Sequence, residues 1–271
     1  MPRQLHATLR GNGRRLVLAH GFTHNSSSWG PFAALLARSC QILAADLPGH
    51  GRSAAVRADL KESARLLGEA GGRSAYLGYS MGGRVSLHLA LERPDLVEAL
   101  VLFGASPGIP DPAEREQRVV HDEHLARSLE ASTEAEPPSS TDGTGDGGER
   151  RRLERFLREW LDNPLFATLP PDAAEVGARA HNTCEGLASS LRLCGAGVQE
   201  PLWDRLAELD MPVLFVAGGL DARYCEIGRR VVEAIGPSAR LEVVPAAGHA
   251  CHLEQPEACA ATVLAFLAEL D

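Results

Sequence analysis

Ser80 is the residue best placed to react in this chain. It lies in Gly78-Tyr79-Ser80-Met81-Gly82-Gly83, between a short apolar run, Ala75 to Leu77, and a helix-like run, Arg84 to Leu91. Gly-x-Ser-x-Gly between a strand and a helix is a nucleophile elbow. The turn is too tight for side chains two positions either side, and it lifts the serine to the positive end of a helix. A hydroxyl is a poor nucleophile or base until its proton has somewhere to go, so it needs an imidazole, and the imidazole needs an orienting carboxylate. Asp221 and His249 stand in matching contexts. Asp221 follows the run Val213 to Ala217 through Gly218-Gly219-Leu220, and His249 follows Leu241 to Val244 through Pro245-Ala246-Ala247-Gly248. Loops past the carboxyl ends of strands are where open α/β sheets gather their sites. A lone Gly-x-Ser-x-Gly arises by chance; with acid and base following in order and context, it reads as a catalytic triad. His20 and His50 lie in loops before the serine and read as structural, and His252 as a wall of the site or a helix-start residue. His20-Gly21-Phe22 ends an early strand. The backbone N–H groups of Phe22 and Met81 are the expected oxyanion hole, which leaves the Phe22 ring free to pack.

Arg84 lies one helical turn beyond Ser80, on the same rim. It is either a guanidinium aimed at a substrate carboxylate or a helix arginine paired with an internal acid. Arg115 and Arg118 are three apart on one helix face, Arg179 falls in Glu175-Val176-Gly177-Ala178-Arg179, and Arg223 follows Asp221 by two. Any one arginine is most often a solvated surface residue; the link of these to the active-site rim gives them weight.

These residues need a scaffold. Apolar runs at Leu16–Ala19, Gln41–Ala45, Ala75–Leu77, Ala99–Phe103, Val213–Ala217 and Leu241–Val244 predict strands. Helical patterns at Trp29–Ala37, Leu60–Ala70, Arg84–Leu91, Cys225–Ile235 and Glu257–Leu270 alternate with them, the signature of a mostly parallel α/β sheet flanked by helices. The rhythm breaks from about Pro107 to Trp203. There Glu114–Leu129, Leu153–Leu161 and Asp172–Arg192 predict helices, and 131–148, rich in Pro, Ser, Thr, Gly and acids, is expected to be disordered. The expected organisation is a core over 1–106 and 204–271 with a helical cap over 107–203, acting as a lid.

Composition narrows the partners. A net charge of −9 argues against a general nucleic-acid surface, though not against a local basic pocket for small anions. Lys61 is the sole lysine, so the arginine bias reads as base composition of the genome rather than function. Six scattered cysteines, without a Cys-x-x-Cys pair or an apolar leader in Met1–Arg10, predict reduced thiols and a cytoplasmic location. No apolar run nears the roughly 20 residues that span a bilayer. A monomer is the default expectation, with oligomeric state left open.

Taken together, the triad and its strand contexts resemble the α/β-hydrolase superfamily over nearly the whole chain. A narrower resemblance is to the 2-succinyl-6-hydroxy-2,4-cyclohexadiene-1-carboxylate synthase family of menaquinone or phylloquinone biosynthesis. It rests on Gly78-Tyr79-Ser80-Met81-Gly82-Gly83-Arg84-Val85, on Trp160 with Phe166, on Arg179 with Asn182, and on the His-x-x-His-x-Glu-x-Pro tail from His249 to Pro256. Leu18-Ala19-His20-Gly21-Phe22 and Asp46-Leu47-Pro48-Gly49-His50-Gly51 are less specific to it. The resemblance implies elimination rather than hydrolysis. Ser80, deprotonated by His249, would remove a ring proton, pyruvate would leave, and charge would gather in the Phe22/Met81 hole. Arg84, Arg179, Arg223 and the Arg115/Arg118 face would hold a polycarboxylate, Tyr79 and Trp160 would line the pocket, and no metal or organic cofactor is implied. In the stretch before Asp122, where the family tends to carry a further basic residue, this chain has Val119-Val120-His121, and Arg223 stands where a lysine is usual. A serine carboxylester or carbon–carbon bond hydrolase on the same triad, and a binding receptor on the same scaffold, remain alternatives.

Overall fold

The computed structural model describes residues 4–131, 146–173 and 176–270. The chain runs through β1 (Ala7–Arg10), β2 (Arg14–Ala19), α1 (Gly30–Leu36), β3 (Cys40–Ala45), α2 (Leu60–Gly71), β4 (Ser74–Tyr79), α3 (Met81–Glu92) and β5 (Val97–Phe103). Four helices follow: α4 (Pro112–Glu130), α5 (Asp146–Leu161), α6 (Val176–Arg179) and α7 (Cys184–Cys194). The core resumes with β6 (Val213–Gly218), α8 (Ala222–Ile235), β7 (Ala239–Val244), α9 (Cys251–Glu254) and α10 (Pro256–Ala268).

The strands form one sheet in the order β1-β3-β2-β4-β5-β6-β7. Every neighbouring pair is parallel except β1 with β3. The central strands read as unbroken apolar runs because both faces are covered. Alternate residues go opposite ways: Leu16 and Leu18 pack with α1 and α10, Val17 and Ala19 with α2 and α3. β1 had no counterpart among the predicted strands. It is an antiparallel edge strand of mixed Ala-Thr-Leu-Arg with Leu9 largely exposed, so it lacks the apolar pattern of a buried strand.

The helices between β5 and β6 have their own small core, in which Ala126 and Leu129 of α4 meet Phe156 and Leu157 of α5 and Leu187 and Leu191 of α7. The two ends of this segment are tied together: Leu202 N–H donates to Pro107 O at 2.7 Å, and Trp203 Nε1 to Gly108 O at 2.9 Å. The disorder expected over 131–148 does not extend to its end, because α5 already begins at Asp146. Glu149 anchors that turn by accepting the Cys184 backbone N–H at 3.0 Å, a contact between segments that local composition does not encode. Residues 132–145 of the expected insert lie outside the described residues. No helix among the described residues is long and apolar enough to cross a membrane.

Candidate active site

The elbow is built as the glycines require. Ser80 takes φ +49° and ψ −107°, a region costly to an L residue, of order 1–3 kcal/mol. A Cβ at Gly78 would sit 2.4 Å from Gly82 O, and one at Gly82 would sit 2.0 Å from Ala19 O, so neither position accepts a side chain without moving backbone. The Ser80 N–H is used up, donating to Phe103 O at 2.8 Å. Met81 supplies the first N–H of α3, and neither it nor the Phe22 N–H donates to another described residue.

The acid and the base come together over this serine. His249 Nδ1 lies 3.0 Å from Asp221 Oδ2 and His249 Nε2 lies 3.2 Å from Ser80 Oγ. A carboxylate only accepts, so Nδ1 carries the proton and Nε2 is left to receive one from the serine. Asp221 is fixed as the N-cap of α8, with its other oxygen accepting Tyr224 N–H at 3.1 Å. His249 is 2% exposed and packs against the rings of Tyr224 at 4.6 Å and Tyr79 at 5.4 Å between centroids. The preceding Gly248 N–H donates to Glu254 Oε2 at 2.8 Å, which pins the loop carrying the imidazole.

The other histidines divide as their neighbours dictate. His20 gives Nδ1 to Gly21 O at 2.8 Å and accepts Leu47 N–H on Nε2 at 3.0 Å; burial pushes it down to about 4. His50 is likewise buried, bonded to Pro48 O, and pushed down to about 3. His252 lies among Tyr79, Trp29, Phe32 and Phe103, held neutral by burial with a pKa near 3. His24, to which the sequence assigned nothing, is buried on the cavity wall, its pKa driven well below 6.5 by burial and by Arg179.

A cavity of about 440 Å³ opens over Ser80 and His249. Tyr79, Trp160, Arg84, Arg118, Arg179 and Arg223 all line it. Arg84 Nη1 donates to Gly195 O and to Gln199 Oε1, each at 3.3 Å, and no carboxylate pairs with it among the described residues. Neutral acceptors orient the guanidinium without cancelling its charge. Gln199 is itself buried and donates to Ser106 O at 3.4 Å. Arg179 is 1% exposed and hydrogen-bonds Thr23 Oγ1. Arg118 is held by Asp122 through a 2.8 Å Nε–Oδ1 bond, and Arg223 is exposed, 3.8 Å from Glu114 across the gap between α8 and α4.

Arg115 departs from expectation. It does not line the cavity; its guanidinium donates to Ile109 O at 3.1 Å and Pro110 O at 3.0 Å, bracing the start of α4. An i,i+3 spacing makes two side chains neighbours without making them point alike, and the Ile109 and Pro110 carbonyls before α4 capture Arg115. His121, from the stretch lacking the further basic residue, does line the cavity. Tyr224, Gln199 and His24 had no signal in the sequence, since their neighbours come from remote segments. Among the described residues no group of three His, Cys, Asp or Glu side chains is arranged to hold a metal.

Residues 16–262 match the Alpha/beta hydrolase family. A Bacillus subtilis protein provisionally named 2-succinyl-6-hydroxy-2,4-cyclohexadiene-1-carboxylate synthase is 32% identical, covering 94% of this chain and 90% of its own. The synthase of that name from Photorhabdus laumondii is 30% identical over 93% of this chain and 84% of its own. The solved structure of MenH from S. aureus superposes with a TM-score of 0.84 at 26% identity, covering 98% of both chains.

Proposed function

The chain belongs to the 2-succinyl-6-hydroxy-2,4-cyclohexadiene-1-carboxylate synthase family of α/β hydrolases, and from that premise we propose that it is a carbon–oxygen lyase of menaquinone or phylloquinone biosynthesis. Its substrate on this reading is 2-succinyl-5-enolpyruvyl-6-hydroxy-3-cyclohexene-1-carboxylate, from which it eliminates pyruvate. His249 Nε2 takes the Ser80 proton while Asp221 holds the imidazole and stabilises the imidazolium. The serine oxygen then removes the acidic ring proton. The electron pair moves into the conjugated system toward the succinyl ketone, whose oxygen is met by the Phe22 and Met81 N–H groups. Collapse of that charge breaks the bond to the enolpyruvyl oxygen. The departing enolate takes up the proton held on His249 and becomes pyruvate, a ring diene remains, and Ser80 is again a hydroxyl, carrying the proton it took from the ring.

The observation that carries this reading is Arg84 beside Ser80, oriented by two neutral oxygens. A half-buried guanidinium held by neutral oxygens, with no carboxylate beside it among the described residues, favours an anion in the cavity. Arg179, Arg118 and Arg223 supply further charge for a substrate with several carboxylates, and Tyr79 and Trp160 supply apolar walls. The reading needs no metal or organic cofactor, and the proposed setting is the cytoplasm, where six buried free cysteines stay reduced. The test is to supply the enolpyruvyl substrate and follow pyruvate together with diene absorbance, with p-nitrophenyl esters as control. Fast elimination with negligible ester cleavage is expected; rapid ester cleavage without pyruvate would assign a hydrolase instead.

A further inference from the structure

We propose that Tyr224 is a further substrate-contacting residue: its phenolic O–H donates to a carboxylate oxygen of the substrate held between Arg84 and Arg118. The assignment deepens the synthase reading and rests on it. Tyr224 is locked from two sides. Its backbone N–H caps onto Asp221 Oδ1 at 3.1 Å, and its ring packs on His249 with centroids 4.6 Å apart and planes at 44°. It is half-buried and lines the cavity over Ser80, and the hydrogen bond it makes to a described residue uses its backbone N–H, not its hydroxyl. A hydroxyl on a cavity wall can exchange water for a ligand oxygen, and phenols on such walls usually bond a polar partner.

The charged groups acting on this phenol are Arg223, Arg84, Asp221 and Arg118, three of them cations of the cavity wall. An anion drawn to those arginines therefore arrives at the hydroxyl. Burial raises the pKa, so the group stays protonated at neutral pH and acts as a donor. The arginines supply charge; the phenol supplies a short, directed bond on the side facing the triad. Phenylalanine in its place would preserve the packing on His249 and delete only the donor.

Tyr224→Phe is compared with the wild type in two measurements. In turnover of the enolpyruvyl substrate, the KM for Tyr224→Phe rises about 10-fold with kcat within about twofold, the pattern for a hydrogen bond to a charged group kept equally in ground and transition states. In titration with succinate, read by quenching of the cavity-lining Trp160, the variant binds correspondingly more weakly. Succinate carries the result even if the wild type releases no pyruvate, so failure of the synthase reading is seen separately. Equal succinate affinity, no quenching of either protein, or a fall confined to kcat would overturn the assignment. Tyr224→Ala serves as the packing control: loss in Ala but not Phe would mean that only the ring matters.

Discussion

The loops at the carboxyl edge of the sheet and the helices between β5 and β6 treat polar side chains in opposite ways. In the loops, polar groups satisfy one another: Ser80, His249 and Asp221 form a closed relay, and His20 uses both ring nitrogens on backbone atoms. In the helical segment, the outer surface is a web of exposed ion pairs, such as Arg192 with Glu123 and Glu130. Such pairs contribute little, because water screens them. On the cavity wall Arg84, with no carboxylate partner among the described residues, comes from the core helix α3 and borrows its acceptors from Gly195 and Gln199 beyond α7. Strained main chain fixes Ser80; on the proposed function, longer side chains braced by the helices between β5 and β6 hold the substrate.

The sharpest break of this contrast lies in the relay. Ser80→Ala, His249→Ala and Asp221→Asn are each expected to lower pyruvate release by about 100-fold or more with circular dichroism unchanged. Normal turnover in Ser80→Ala would remove the proposed mechanism. Arg84→Ala is expected to lower kcat/KM by about 10-fold or more, chiefly through KM, since one charge-assisted contact is lost. Steady-state kinetics unchanged in that variant would make Arg84 a structural residue.

Acid should separate the two regions by stability. His20, His24, His50 and His252, all in or beside the sheet-edge loops, are held neutral with pKa values below 6.5. Unfolded histidines gain protons below pH 6.5 while the folded ones do not, so the unfolded state is favoured as pH falls from 6.5 toward the folded values of about 3 to 4. Each buried histidine contributes up to about 1.4 kcal/mol of lost stability per pH unit in that window. Urea midpoints measured between pH 7 and pH 5 check this, and a flat profile would contradict it. The smallest effect is expected at Arg115. Arg115→Ala should leave KM within about twofold and lower the melting temperature by a few degrees, since only bonds to Ile109 O and Pro110 O are lost. A large rise in KM would return Arg115 to the cavity.

Legibility followed locality. The elbow is a local demand: φ +49° at Ser80 and backbone pressed against Gly78 and Gly82 leave two glycines as the readable trace. Asp221 and His249 were readable because each follows an apolar strand through a glycine-containing loop. The edge strand β1 was not, because half-exposed, antiparallel pairing leaves no apolar run. Arg115 and Arg118 look equivalent in the sequence, yet carbonyls capture one and Asp122 turns the other along the wall. Tyr224, Gln199 and His24 gain their meaning from neighbours far away in the chain.

The sequence by itself determined the strand–helix alternation, the reactive serine and the order of its partners, because periodicity and tight turns are written over a few adjacent residues. Tertiary structure decided how the cations of the cavity wall are held. For Arg84 the holders are Gly195 O and Gln199 Oε1, each 3.3 Å away and remote in the chain, and no local pattern records such a distance.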